Sequence, residues 1–130
     1  PTKVIAVNSL NPLNNTFIID AIKNVHAIIS VEEHTTVNGF GSAVREVIAD
    51  AGYGGLSFYK FGIDDCYPSI VGDQMFLRKH FGLLGRQIVD KFLTKFKKKW
   101  RFNASSSEAF IVLFGTEICD TIFIKYKYYT

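Results

Sequence analysis

The chain has 130 residues, of which 48% are hydrophobic and 21% charged, with a formal net charge of +3. That length fits one domain, and that composition supplies a packed core and excludes a disordered chain. The charge is mild, so its distribution matters more than its size.

KVIAV, Lys3 to Val7, is short, apolar and β-branched and ends at Asn8-Ser9, which predicts a buried strand feeding a loop. Pro12 forbids a continuing strand. Asn14 or Asn15 can cap a helix over NTFIIDAIKNV, with Phe17, Ile18, Ala21, Ile22 and Val25 on one side. AIISVEE, Ala27 to Glu33, is the second predicted strand. Gly39 and Gly41 then precede a helix carrying Ala43, Val44, Val47, Ile48 and Ala51 at helical spacing, stopped by Gly52, Gly54 and Gly55. LSFYKFG, Leu56 to Gly62, alternates like a partly exposed strand.

Asp64, Asp65, Pro68 and Gly72 mark a loop. QMFLRKHFG predicts a short helix ending at Gly82, and GRQIVDKFLTKFKKKW a longer one with Ile88, Val89, Phe92, Leu93 and Phe96 inward. Arg86, Lys91, Lys95, Lys97, Lys98, Lys99 and Arg101 crowd this segment. They read as a solvated helix face; a nucleic acid or an anionic membrane surface is the sharper alternative, and neither is expected as a partner. The stripe Phe92, Phe96 and Trp100 reads as core packing beneath that face rather than as membrane docking. RFNASSSE, residues 101–108, is a polar linker. AFIVLFG, Ala109 to Gly115, is another buried-strand pattern, and TEICDTIFIKYKYYT follows with Thr116 as a cap for a helix, or as a β-hairpin. Strand alternating with helix predicts an α/β fold, a mainly parallel sheet in three layers with helices on both faces.

Cys66 and Cys119 have neither metal-ligand spacing nor a disulfide framework and read as reduced thiols of a cytoplasmic protein. PTKVIAVNS lacks the basic and apolar regions of a signal peptide, and Glu117 and Asp120 interrupt the most hydrophobic region, so no membrane span is expected.

One run is more specific than the rest. IISVEEHTTVNGFGSAVREVIADAG resembles the C-terminal domain of the transketolases, whose pattern is a strand ending in V-E-E-H, a short loop, then G-G-L-G-S-A-V and a helix. Val31, Glu32, Glu33 and His34 match, as do Gly39, Gly41, Ser42, Ala43 and Val44, while Asn38 and Phe40 stand where the family has glycine and leucine. NSLNPLN resembles the family's loop ending in K-P-L-D, and FGIDDCYP and FLRKHFGL resemble two later segments, so the likeness covers most of residues 1–96. The family's domain begins with one more strand and helix of the form I-I-A-T-G-S-E-V. Here AFIVLFGTEICDTI, at the other end of the chain, is similar to it. The likeness therefore implies a single domain over residues 1–130, circularly permuted, with residues 109–130 as the family's first strand and helix. The rival is an unrelated tail.

The resemblance implies a thiamine-diphosphate enzyme of the pentose phosphate pathway that moves a two-carbon ketol unit between sugar phosphates. Its cofactor and Mg²⁺ are held by two other domains. This domain is expected to bind no cofactor or metal and carry no catalytic residue. Its expected roles are folding, dimerisation and framing of the active site. Expected partners are the thiamine-binding domains or subunit, in a homodimeric parent. The related alternatives are the C-terminal domains of a 2-oxoacid dehydrogenase β subunit or a deoxyxylulose-phosphate synthase.

Glu32, Glu33 and His34 end a strand, at the edge of an α/β sheet where ligands gather; Gly115, Thr116 and Glu117 and Asn8-Ser9 belong on the same edge. Neighbouring strand residues point to opposite faces, so Glu32 and Glu33 are not a simple acid/base pair; capping or tying loops is the plainer role. Gly39, Gly41 and Ser42 precede a helix whose N terminus attracts anions, which keeps a small-anion-binding module as another alternative. Close packing of helix on strand explains the two glycines equally well. His26 and His80 belong to no metal or nucleophile pattern, while Asp64 and Asp65 follow a strand and could coordinate a cation, turn formation being their more usual role.

Overall fold

In a computed structural model, which describes residues 2–99 and 110–115, four strands form one parallel sheet in the order β1-β4-β2-β3. Strands β1 (Thr2–Val7), β2 (Ala27–Thr35), β3 (Ser57–Ile63) and β4 (Phe110–Gly115) are joined through helices α1 (Asn15–Ile22), α2 (Phe40–Ile48), α3 (Gln74–Phe81) and α4 (Gly85–Lys99). A π-helical turn, Ala49–Tyr53, ends α2 at Gly52, whose φ is 86°.

The helices start and stop for local reasons. Asn14 Oδ1 accepts the Phe17 N–H at 3.0 Å and Asp73 Oδ1 the Phe76 N–H at 2.8 Å, so each side chain satisfies a first-turn donor that the helix leaves open. Gly82 closes α3 in the left-handed conformation, φ 72°.

Alternation along β2 sorts the core into two layers. Ile28 faces α1 and α2 and packs with Ile18, Ile22, Val44, Ile48 and Ile111 of β4. Ile29 and Val31 face the other way and pack with Phe61, Leu83 and Ile88. The arrangement is the expected three-layer α/β fold. Two side chains differ from the helical-face expectation: Phe17 and Leu93 point outward, because α1 and α4 each bury a stripe narrower than their apolar content. Ala51 is also exposed, since the regular helix has ended by that point. The Phe96 side chain and Trp100 lie outside the described residues.

β4 is the most distant strand in sequence and sits between β1 and β2. It pairs in parallel with β1 from Thr2↔Phe110 to Val7↔Gly115, and with β2 from Ala27↔Phe110 to Val31↔Phe114. The linker 101–108 and the segment 116–130 with its helix-or-hairpin alternatives lie outside the described residues. Among the described residues no helix is long and apolar enough to cross a membrane.

Candidate functional site

The carboxyl ends of β1 and β2 border a cleft of about 330 Å³, lined by Val7, Asn8, Ser9, Leu10, Glu32, Glu33, His34, Asn38, Gly39 and Phe40. This is the edge at which open parallel sheets gather ligands. Of the residues singled out in the sequence, Glu32, Glu33, His34 and Gly39 line it. Gly115 closes β4 opposite Val7 in register, at the cleft's flank. Gly41 and Ser42 do not line it, and Thr116 and Glu117 lie outside the described residues.

Glu32 is 2% exposed, and its carboxylate is spread across the start of α2. Oε2 accepts the Phe40 N–H at 2.6 Å and Oε1 the Gly41 N–H at 3.1 Å. The next two N–H groups, of Ser42 and Ala43, both donate to the Gly39 carbonyl at 3.1 Å. Every N–H of the first turn of α2 is therefore bonded, and the anion at this helix N terminus is the chain's own glutamate. That removes the physical basis for an external phosphate at Gly39, Gly41 and Ser42. The glycines serve close approach instead. A Cβ on Gly39 would overlap Glu32 Oε2 and the Thr35 carbonyl, and one on Gly41 would overlap Ser30 Oγ.

Burial pushes the Glu32 carboxyl above the ordinary glutamate range. The Gly41 and Phe40 N–H groups, then His34 and Lys60, oppose that rise. Lys60 reaches over from β3 but is itself tied: its Nζ donates to the Thr36 carbonyl at 2.8 Å and to Ser42 Oγ at 3.1 Å. Ser42 Oγ in turn donates to Thr36 O at 3.1 Å. Ser30 Oγ, fully buried under α2, has no hydrogen-bond partner among the described residues.

Glu33 points to the opposite face. It is paired with Arg78 of α3 through Oε1, and its Oε2 accepts from Gln74 Nε2 at 2.9 Å. Arg78 is 6% exposed. Beyond Val31 the register with β3 shifts, so that four steps along β2 match two along β3 before Thr35 pairs with Ile63. Glu32, Glu33 and His34 occupy this irregularity, which turns the strand's end outward. Both glutamates thus border one cleft although their carboxylates serve opposite faces. His34 is exposed, with Nδ1 3.3 Å from the Thr35 carbonyl.

Sequence reasoning missed Asn38, Phe40 and Leu10 as cleft residues and Arg78 as the buried partner of Glu33. Asn38 had a signal: it adopts φ 55°, the left-handed region, at a position where the resembled family carries glycine, and asparagine is the side chain that tolerates it best. Arg78 had none, lying 45 residues from Glu33 on a separate helix.

Among the described residues no Lys or Arg lines the cleft, its two carboxylates are engaged, and α2 has no open first-turn N–H. With two glutamates at its wall and no cationic side chain among these residues, the described lining does not supply the positive charge that a diphosphate calls for. Among the described residues no three His, Cys, Asp or Glu side chains are grouped to hold a metal ion.

The family model described as "Transketolase, C-terminal domain" matches residues 1–88. The chain is 38% identical over 91 residues to an apulose-4-phosphate transketolase subunit from Actinobacillus succinogenes, covering 70% of this chain and 29% of that protein. It is 34% identical over 91 residues to 1-deoxy-D-xylulose-5-phosphate synthase 2 of Geobacter sulfurreducens, covering 70% of this chain and 14% of that one. To the 1-deoxy-D-xylulose-5-phosphate synthase of Pelotomaculum thermopropionicum it is 30% identical over 96 residues, 74% of this chain and 15% of that one. The chain thus spans well under a third of these relatives. No solved structure matches it.

Proposed function

The chain belongs to the transketolase C-terminal domain family, and from that premise we propose that it is the non-turnover domain of a thiamine-diphosphate enzyme that transfers a two-carbon ketol unit between sugar phosphates. The observation that carries this reading is the use made of the Val31–His34 run. Glu32 is committed to the N terminus of α2 and Glu33 to Arg78 and Gln74. A general acid or base needs a carboxyl free to reach substrate, and neither is free. The cofactor and its Mg²⁺ would be held by the enzyme's other domains, on the same chain or a companion subunit. A homodimeric parent, the pentose phosphate pathway and a cytoplasmic location belong to the same reading.

A second reading, a domain of a deoxyxylulose-phosphate synthase, is favoured by the 34% identity to the Geobacter enzyme. A third point concerns chain order: the position of β4 between β1 and β2, outside the family match over residues 1–88, supports residues 109–130 as the family's first strand and helix relocated by circular permutation.

The test is to mix the chain with the source organism's polypeptide bearing the thiamine-binding domains and assay both ketol transfer and deoxyxylulose-phosphate formation. Activity that appears only on mixing supports the proposal, and the product decides between the two enzymes. Turnover by the chain alone, or neither activity nor association, would overturn it.

A further inference from the structure

The exposed apolar side chains are unevenly placed. Eight large hydrophobics are exposed among the described residues, and seven lie at the carboxyl edge of the sheet. Leu10 and Phe17 follow β1, Val37 follows β2, and Tyr67, Val71, Met75 and Phe76 follow β3; Leu93 on α4 is the exception. The hydrogen bond from Gln74 to Glu33 joins the β3 group to the end of β2. Tyr67 and Val71 are 101% and 98% exposed, an arrangement that leaves their apolar surface wholly in water.

The charge is uneven as well. Among the described residues, 8–17, 34–42 and 64–77 lie at this edge, and they hold Asp64, Asp65 and Asp73 with no Lys or Arg, in a chain whose net charge is +3. Both faces of the sheet are already covered, by α1 and α2 on one side and by α4 and the α3–α4 connection on the other. Among the described residues, the carboxyl edge holds seven of the eight large apolar side chains that remain exposed.

The geometry points to this edge, and above all to its β3 end with Tyr67 and Val71, as the surface on which the enzyme's thiamine-binding portion docks, through an apolar patch rimmed by Lys or Arg. This rests on the proposed function, and it adds which face is used and what chemistry meets it. Two observations favour that occupant over a second copy of this chain. Its relatives are proteins of which it matches only 14–29%, so in them the matched region is one part of a larger molecule. A second copy would also bring the same three aspartates against each other, which opposes pairing of like edges.

The experiment is sedimentation velocity of the full chain, alone and mixed with the source organism's polypeptide bearing the thiamine-binding domains. Wild type is compared with Tyr67→Lys/Val71→Lys, Asp64→Lys/Asp65→Lys and the off-edge control Leu93→Lys. Circular dichroism checks that each variant folds. The expected result is a mixed complex weakened at least about tenfold by the Tyr67/Val71 pair, about threefold or more by the Asp64/Asp65 pair, and unchanged in the control. If wild type binds and the edge variants bind equally well, docking uses another face; this inference fails while the proposed function stands. If the chain alone associates and Tyr67→Lys/Val71→Lys separates it, the occupant is a second copy and the inference is overturned. If wild type neither binds nor supports activity, both fall.

Discussion

Glu32 and Gly39 fit each other: Oε2 of Glu32 occupies the space that a Cβ on Gly39 would need. The same oxygen accepts the Phe40 N–H, so the clash cannot be relieved by moving the carboxylate without losing that bond. The backbone carbonyl of Thr35 blocks the other direction. Gly39→Ala is therefore expected to destabilise the fold by about 1–3 kcal/mol, towards the upper end because one obstacle is main chain. Urea unfolding measures it, and a cost under about 0.5 kcal/mol would remove the packing role.

Ser30 and Gly41 give a paired test of the same junction. A Cβ on Gly41 would overlap Ser30 Oγ, a buried hydroxyl without a partner among the described residues. Ser30→Ala alone is expected to be neutral or to stabilise by about 1 kcal/mol, since an unsatisfied buried polar group is lost. Gly41→Ala should destabilise by about 1–3 kcal/mol, and by less when made with Ser30→Ala. Denaturation of the three variants gives the coupling; strict additivity would contradict the contact.

The pH dependence of stability follows from Glu32. Burial raises its folded carboxyl above its unfolded value. The folded state then binds the proton more tightly, so this group's contribution is complete below the ordinary glutamate range. It is lost as pH rises through the raised folded value. Each unit of elevation corresponds to about 1.4 kcal/mol. In Glu32→Gln the group does not titrate. The stability of wild type minus that of Glu32→Gln should therefore fall as pH increases from about 4 towards neutrality. A difference that rises over that range would reverse the assignment.

Much of this was legible in local sequence. Period-two and helical spacing located the strands and helices. Asn14 and Gly82 mark a start and a stop by their own chemistry. Alternation alone separates Glu32 from Glu33, and the choice between packing and anion binding at Gly39 and Gly41 was visible as a choice. What decided it was the Glu32 carboxylate bridging eight and nine residues to Phe40 and Gly41, a tertiary fact. The register shift after Val31 and the pairing of Glu33 with Arg78 were also out of reach. Periodicity reports which face of an element is apolar, not which residue on a distant element it meets. For the same reason the outward turn of Phe17 and Leu93 went unread.

Arg78 and Glu33 tie α3 to the end of β2, and the pair is nearly enclosed, with side chains 6% and 17% exposed. Arg78→Ala removes the guanidinium and strands a carboxylate at a partly buried site. The expected cost is about 3 kcal/mol, the lower part of the range for breaking a buried pair, because Glu33 borders an open cleft. Arg78→Met with Glu33→Gln should cost less than the two single changes added together, because it leaves no unpaired charge. Thermal unfolding of wild type, Arg78→Met, Glu33→Gln and the double variant measures the cycle, with Arg78→Ala measured beside them; additivity within about 0.5 kcal/mol would show that the two side chains are not coupled.

The last prediction concerns β4. Ile111 is fully buried, pairs with Lys3 of β1 and Ile28 of β2, and joins the core against α1 and α2. With β4 between them, β1 and β2 have no direct ladder, so the sheet is continuous only through this strand. Ile111→Ala should therefore cost about 2–5 kcal/mol, the range for a buried isoleucine emptied to a methyl. It should match Ile28→Ala and differ from the exposed control Val71→Ala, which should stay within about 0.5 kcal/mol. A tail appended to an already complete domain would give the opposite result: Ile111→Ala would behave like Val71→Ala. Chain removed after residue 99 would then keep its cooperative unfolding. That outcome would end the permuted reading of residues 109–130. A loss at Ile111 equal to that at Ile28 would make β4 an internal strand of the domain, as the permuted order requires.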